Sequence, residues 1–126
     1  MQGTIAEPHF DMNRNMVSII SGRKRYIMMP PDQCNNIYFY DKHHPSRRHS
    51  KIDLSQPSSI DPASFPKFKQ TRAFEVVLEA GDILYIPSFW VHYIVGLETN
   101  IQCNTRSGIL PDDPWMEKVQ PCLERR

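Results

Sequence analysis

The sequence predicts an all-β domain, a barrel or sandwich of short strands with a short helix near its C-terminal end. Runs rich in Val, Ile, Tyr and Phe recur from Met16 to Met29 and from Ala73 to Gly108, bounded by Gly, Pro, Asn or Asp. Eleven prolines against five glycines in 126 residues mean many rigid turns, which suits short strands better than long helices. With 40% apolar and 10% aromatic residues the chain can supply one core, expected within residues 1–109, with 110–126 as a tail.

The elements follow in order. Gly3 to Asp11, GTIAEPHFD, reads as extended chain, so His9 and Asp11 point one way and Phe10 the other. MVSIISGRKRYIMMPP reads as a hairpin, with a turn at Ser21-Gly22-Arg23, a second strand from Lys24 to Met29, and a stop at Pro30-Pro31. Asn15, Val17 and Ile19 share one face; Lys24, Tyr26 and Met28 share another. A helical turn is expected at Pro31-Asp32, then a core-and-rim patch at Tyr38, Phe39 and Tyr40. Residues 41–70 show no sustained period and form a long loop with short ordered pieces, the natural candidate for substrate contact. Strands return as AFEVVLEAG, DILYIP, HYIVGL and NIQCNTRSG, with Gly81-Asp82 as a hairpin signal. In the tail, Asp113 as N-cap and Pro114 at the first helical position open a helix that Pro121 should end or kink.

Fifteen basic against fourteen acidic residues, a net charge of +1, provide no global field toward nucleic acid or an anionic membrane. Cys34, Cys103 and Cys122 are odd in number and widely spaced. They indicate neither a disulfide framework nor a zinc knuckle, read most simply as buried apolar groups, and suit a reducing compartment. The start, MQGTIAEPHFD, lacks a basic segment followed by an apolar one, and no apolar run approaches a membrane span.

His9, Asp11 and the distant His92 carry the chemistry. Two neutral imidazoles and one carboxylate can occupy one face of an octahedron, the donor set of a facial iron(II) site, and leave the other face open. A zinc site would draw on the same ligand types. An ionised Asp facing a barrel interior is costly to bury alone, and a divalent cation removes that cost. If the strands close in the usual register, Lys24 looks into the same space; a one-residue slip would present Arg23 or Arg25 instead.

GDILYIPSFWVH, from Gly81 to His92, resembles the second box of the cupin and jumonji-type (JmjC) barrels: glycine, strand, proline, and a histidine ligand five positions on. Gly3 with His9 and Asp11 resembles the first box. Within that superfamily the chain looks most like the cupin-like hydroxylases typified by the asparaginyl hydroxylase of hypoxia-inducible factor, through HFD, GRKR, PPDQ, HHPSRRHS, FPKF and the second box. The resemblance implies a double-stranded β-helix, a jelly-roll or cupin barrel, with His9, Asp11 and His92 as iron ligands. It implies Lys24 as the anchor for the distal carboxylate of 2-oxoglutarate, with Asn15 and Asn104 lining the co-substrate pocket. Ala6 stands where relatives often place a hydroxyl that touches 2-oxoglutarate, and Arg106 where the asparaginyl hydroxylase has an aromatic.

The implied activity is that of an iron(II)- and 2-oxoglutarate-dependent dioxygenase hydroxylating a protein side chain, so a protein or peptide substrate is expected, in the cytoplasm or nucleus and away from membranes. Relatives carry strands and a tyrosine or similar group ahead of the first box, so the barrel is expected to be incomplete at its N-terminus. They dimerise through C-terminal helices, so a homodimer is expected of a chain with more C-terminal helix. The rival readings are an inactive binding module and the same chemistry on methylated lysine or arginine, or on RNA. His43, His44 and His49 with Arg47 and Arg48 have irregular spacing and no interleaved aromatics, which favours a polar loop over a second metal site or a nucleic-acid patch.

Overall fold

The computed structural model describes residues 3–124. Among these, the strands are β1 (Ile5–Phe10), β2 (Arg14–Ser21), β3 (Lys24–Met29), β4 (Phe74–Leu78), β5 (Ile83–Ile86), β6 (Val91–Gly96) and β7 (Ile101–Ser107). A 3-10 helix covers Pro31–Asn36, and α1 covers Met116–Glu124. Two antiparallel sheets, ordered β1-β6-β3-β4 and β5-β2-β7, face each other. The all-β expectation holds, and the layout is that of a jelly-roll or cupin barrel.

Neither expected hairpin forms. β2 and β3 lie in different sheets, as do β4 and β5, so the turns at Gly22 and Gly81 are arches that carry the chain across the core. The physical reason is burial. Val17 and Ile19 of β2 meet Tyr26 and Met28 of β3 face to face, together with Leu78 and Ile86, which paired neighbours in one sheet could not do. Gly22 has φ +77°, and its Cα sits so close to Thr99 and Asn100 that no side chain fits there.

A second cluster covers the outer face of the β1-β6-β3-β4 sheet. Phe10, Met29 and Val91 pack there against Cys34, Ile37, Phe39, Phe89, Val119 and Cys122. Cys34 and Cys122 are joined as a disulfide, with Cα atoms 6.1 Å apart, because α1 docks on the 3-10 helix. Cys103 is exposed. Cys34 and Cys122 are buried as expected but as a disulfide, and Cys103 is not buried, so the cysteines no longer argue for a reducing compartment. Asp113 Oδ1 accepts a hydrogen bond from the Trp115 amide at 2.9 Å, but α1 begins at Met116 and runs through Pro121 to Glu124. Burial of Val119 and Cys122 on either side of the proline holds the helix where local propensity would end it.

The outer face of the β5-β2-β7 sheet is open, with Met16, Ile20, Ile83, Tyr85 and Ile101 exposed. No helix among the described residues is long and apolar enough to cross a membrane.

Candidate metal centre

β1 and β6 are neighbours, and His9 is the register partner of His92. The register slips between Ala6 and His9, a bulge that puts Ala6 and His9 on the same inner face although they are three positions apart. Asp11 follows directly after β1. Its carbonyl oxygen accepts a hydrogen bond from the amide of Phe89 at 2.9 Å, which ties the first ligand segment to the turn that delivers His92. Phe89 has φ +67° and is fully buried, so packing holds that turn in a left-handed conformation that an aromatic residue rarely adopts.

The three side chains converge. Asp11 Oδ2 lies 4.0 Å from His9 Nε2 and 3.7 Å from His92 Nε2, and one ligand atom from each residue lies within 4.8 Å of the others. Cis ligands of one ion stand roughly 3 Å apart, so closing on a metal takes movements of roughly 1 Å. His9 Nδ1 is 2.7 Å from the Glu7 carbonyl and His92 Nδ1 3.0 Å from the Trp90 carbonyl. A carbonyl only accepts, so each Nδ1 carries the proton and each Nε2 offers its lone pair toward Asp11. Burial, then the repulsion two protonated imidazoles this close would feel, pushes the His92 pKa down to about 4, which keeps its ring neutral and able to act as a ligand at neutral pH.

Asp11 is held on both oxygens. Arg48 Nη1 donates to Oδ1 at 3.1 Å, and Asn15 Nδ2 donates to Oδ2 at 3.3 Å. Asn15 Oδ1 is buried with no hydrogen-bond partner among the described residues, an acceptor placed next to the ligand set. These features fit a divalent metal: two oriented imidazoles, one fixed carboxylate, and an unmatched polar atom beside them.

Lys24 lies on the inner face. Its register partner on β6 is Gly96, four positions from His92, while Arg23 and Arg25 pair outward with Glu98 and Glu75. Lys24 Nζ donates to Gln102 Oε1 at 2.5 Å, and burial lowers its pKa. Asn104 is on the inner face of β7 opposite Val17, where its Oδ1 accepts from Gln102 Nε2 at 2.8 Å. His9, Asp11, His92 and Asn15 therefore gather at one point, and Lys24 and Asn104 meet at another through Gln102.

Four neighbouring residues escaped the sequence reading. Arg48 and His49 come from the long loop, which runs back beside β1. His9 bridges to His49, their rings stack with centroids 5.3 Å apart, and the Phe10 amide donates to the Arg48 carbonyl at 3.1 Å. No spacing in the sequence announces that contact. Tyr26 and Gln102 could have been found, because they share strand parity with Lys24 and Asn104. A cleft of about 400 Å³ between β4 and β5 is lined by Met28, Phe74, Val76, Leu84, Pro87 and Trp90 among others, and by none of the candidate ligands. A smaller cleft, about 310 Å³, is bordered by Phe10, Met12, Lys42, Arg47, Arg48 and Leu123.

Residues 1–105 match the family model described as a cupin-like domain. The chain belongs to the cupin-like domain family. It is 26% identical over 110 residues to tRNA wybutosine-synthesizing protein 5 of Danio rerio, covering 87% of this chain and 31% of that protein. It is 30% identical over 92 residues to Jumonji C domain-containing protein 5 of Drosophila melanogaster, covering 73% and 22%. It is 30% identical over 97 residues to Lysine-specific demethylase JMJ31 of Arabidopsis thaliana, covering 76% and 17%. The chain thus spans less than a third of the length of each of these relatives.

Proposed function

We propose that this chain carries an iron(II)- and 2-oxoglutarate-dependent dioxygenase centre that hydroxylates a protein side chain. The observation that carries the reading is the convergence of His9, Asp11 and His92 within 4.8 Å, with both imidazoles oriented by backbone carbonyls. A three-ligand facial set leaves positions for a chelating co-substrate and oxygen. With iron(II) held there, oxygen would be the oxidant and 2-oxoglutarate the two-electron reductant, one oxygen atom going to succinate, formed with carbon dioxide, and the other to the hydroxylated product.

The protein's own part is positioning. Arg48 and Asn15 hold the Asp11 carboxylate so that one oxygen faces both histidines. Lys24 offers a cation for a charge-assisted bond to the far carboxylate of the co-substrate. The long loop brings Arg48 and His49 to the ligands, and its HHPSRRHS and FPKF segments, which resemble those of the asparaginyl hydroxylase type, favour a peptide substrate.

RNA is the second reading. Relatives named for wybutosine synthesis in tRNA, together with Lys42, Arg47 and Arg48 beside the smaller cleft, favour it. Anaerobic addition of iron(II) and 2-oxoglutarate should produce a charge-transfer absorption that His92→Ala abolishes. Peptide pools and RNA are then compared for stimulated 2-oxoglutarate turnover and for a product heavier by one oxygen atom. Absence of the absorption, with turnover indifferent to His92→Ala, would overturn the reading.

A further inference from the structure

We propose that Tyr26 and Gln102 complete the seat for the far carboxylate of the co-substrate: Tyr26 supplies a second donor beside Lys24, and Gln102 closes the seat until the anion arrives. This rests on the 2-oxoglutarate reading given above.

One oxygen atom defines the seat. Gln102 Oε1 receives hydrogen bonds from Lys24 Nζ at 2.5 Å and from Tyr26 OH at 3.0 Å. An ammonium and a phenol therefore converge on a point that an amide oxygen now fills. A carboxylate oxygen at that point would reach both donors, and its charge would strengthen both bonds relative to the neutral amide. Lys24 comes from β3 and Gln102 from the facing sheet, so this contact spans the barrel interior.

Tyr26 suits the role. It is fully buried in the apolar cluster between the sheets, where a phenol without a partner would be costly. Burial raises its pKa to about 12, so the hydroxyl remains a donor. Ala6, Ile94 and Tyr26 form one row across β1, β6 and β3 on the inner face. The methyl group at one end of that row can donate nothing; the phenol at the other end can. In the next row Met28 pairs with His92, so the phenol stands between the metal row and the Lys24–Gly96 row.

Gln102 suits a displaceable closure. It sits on β7, an edge strand, and is only partly buried, so its side chain has solvent to move into. Its amide donates to Asn104 Oδ1 at 2.8 Å, which turns its carbonyl oxygen toward the two donors. Gln102 thus competes with an incoming anion for the donors that the anion needs.

The test measures binding of two probes by calorimetry to the manganese(II)-loaded protein under air-free conditions. 2-Oxoglutarate carries the far carboxylate; pyruvate shares its 2-oxo acid end and lacks it. Tyr26→Phe should weaken 2-oxoglutarate roughly tenfold and leave pyruvate unchanged, as loss of a hydrogen bond to a charged group predicts. Gln102→Ala should tighten 2-oxoglutarate severalfold without affecting pyruvate. Circular dichroism checks that Tyr26→Phe, which retains the ring, is folded. If the wild type binds 2-oxoglutarate in a Lys24-dependent way and neither variant changes its affinity, this inference alone fails. Equal weakening of both probes by Tyr26→Phe also overturns it, because the ring then acts through packing. If the metal-loaded wild type binds neither probe, the inference falls together with the reading it rests on.

Discussion

Replacing Gly22 with alanine should separate steric contact from backbone strain at the arch that leads to Lys24. Gly22 has φ +77°, and an alanine held in the left-handed region costs about 1–2 kcal/mol. A Cβ there would also collide with the Thr99 carbonyl oxygen and lie 2.8 Å from the Cα and Cβ of Asn100. These are mostly backbone atoms, and the adjacent Arg23 carbonyl accepts from the Leu97 amide at 3.1 Å, so the two turns cannot part cheaply. Forcing extra volume into such a place adds about 1–3 kcal/mol, for a total of about 2–5 kcal/mol. Gly81 is the internal control, because its φ is +95° but a Cβ would meet nothing within 4 Å. Gly81→Ala should show strain alone. Urea unfolding of both variants, with the disulfide intact and the slope compared, measures the difference. Equal midpoints for the two variants, or a loss below about 1 kcal/mol for Gly22→Ala, would refute the close-contact argument.

Arg48→Met removes the donor to Asp11 Oδ1 and should weaken manganese(II) binding roughly tenfold, read by calorimetry, with little change in thermal stability because Arg48 is half exposed. Tyr26 should stay protonated well above the ordinary tyrosine range, so an ultraviolet titration of the wild type should show a late phase near pH 12 that Tyr26→Phe removes. Its folded pKa lies above the unfolded one, so the stability it contributes is complete below pH 10 and lost as the pH rises toward 12. Cys34→Ser opens a loop closed across 88 residues, for which chain entropy predicts a loss of about 4–5 kcal/mol; reduction of the wild type should lower its unfolding midpoint to that of the variant.

Much of the fold was legible because strand signals are local. The β-branched runs placed every strand from Arg14 to Ser107 within a few residues, and parity grouped Asn15 with Val17 and Ile19, and Lys24 with Tyr26 and Met28. The turn at Gly22 was legible as a turn but not as an arch. A glycine with positive φ serves both geometries, and the choice depends on whether the apolar faces of the flanking strands meet side by side or across a core.

By itself the sequence determined the candidate ligands, His9, Asp11 and His92, and the faces on which the strand residues lie, since both are properties of single residues and of a two-residue repeat. Only the tertiary structure decided what meets what: β1 beside β6, Cys34 bonded to Cys122, Arg48 on Asp11, and Gln102 on Lys24 and Tyr26. Those pairs are separated by dozens of residues. Their meeting follows from how two sheets bury one core, a global free-energy choice that no short stretch of chain encodes.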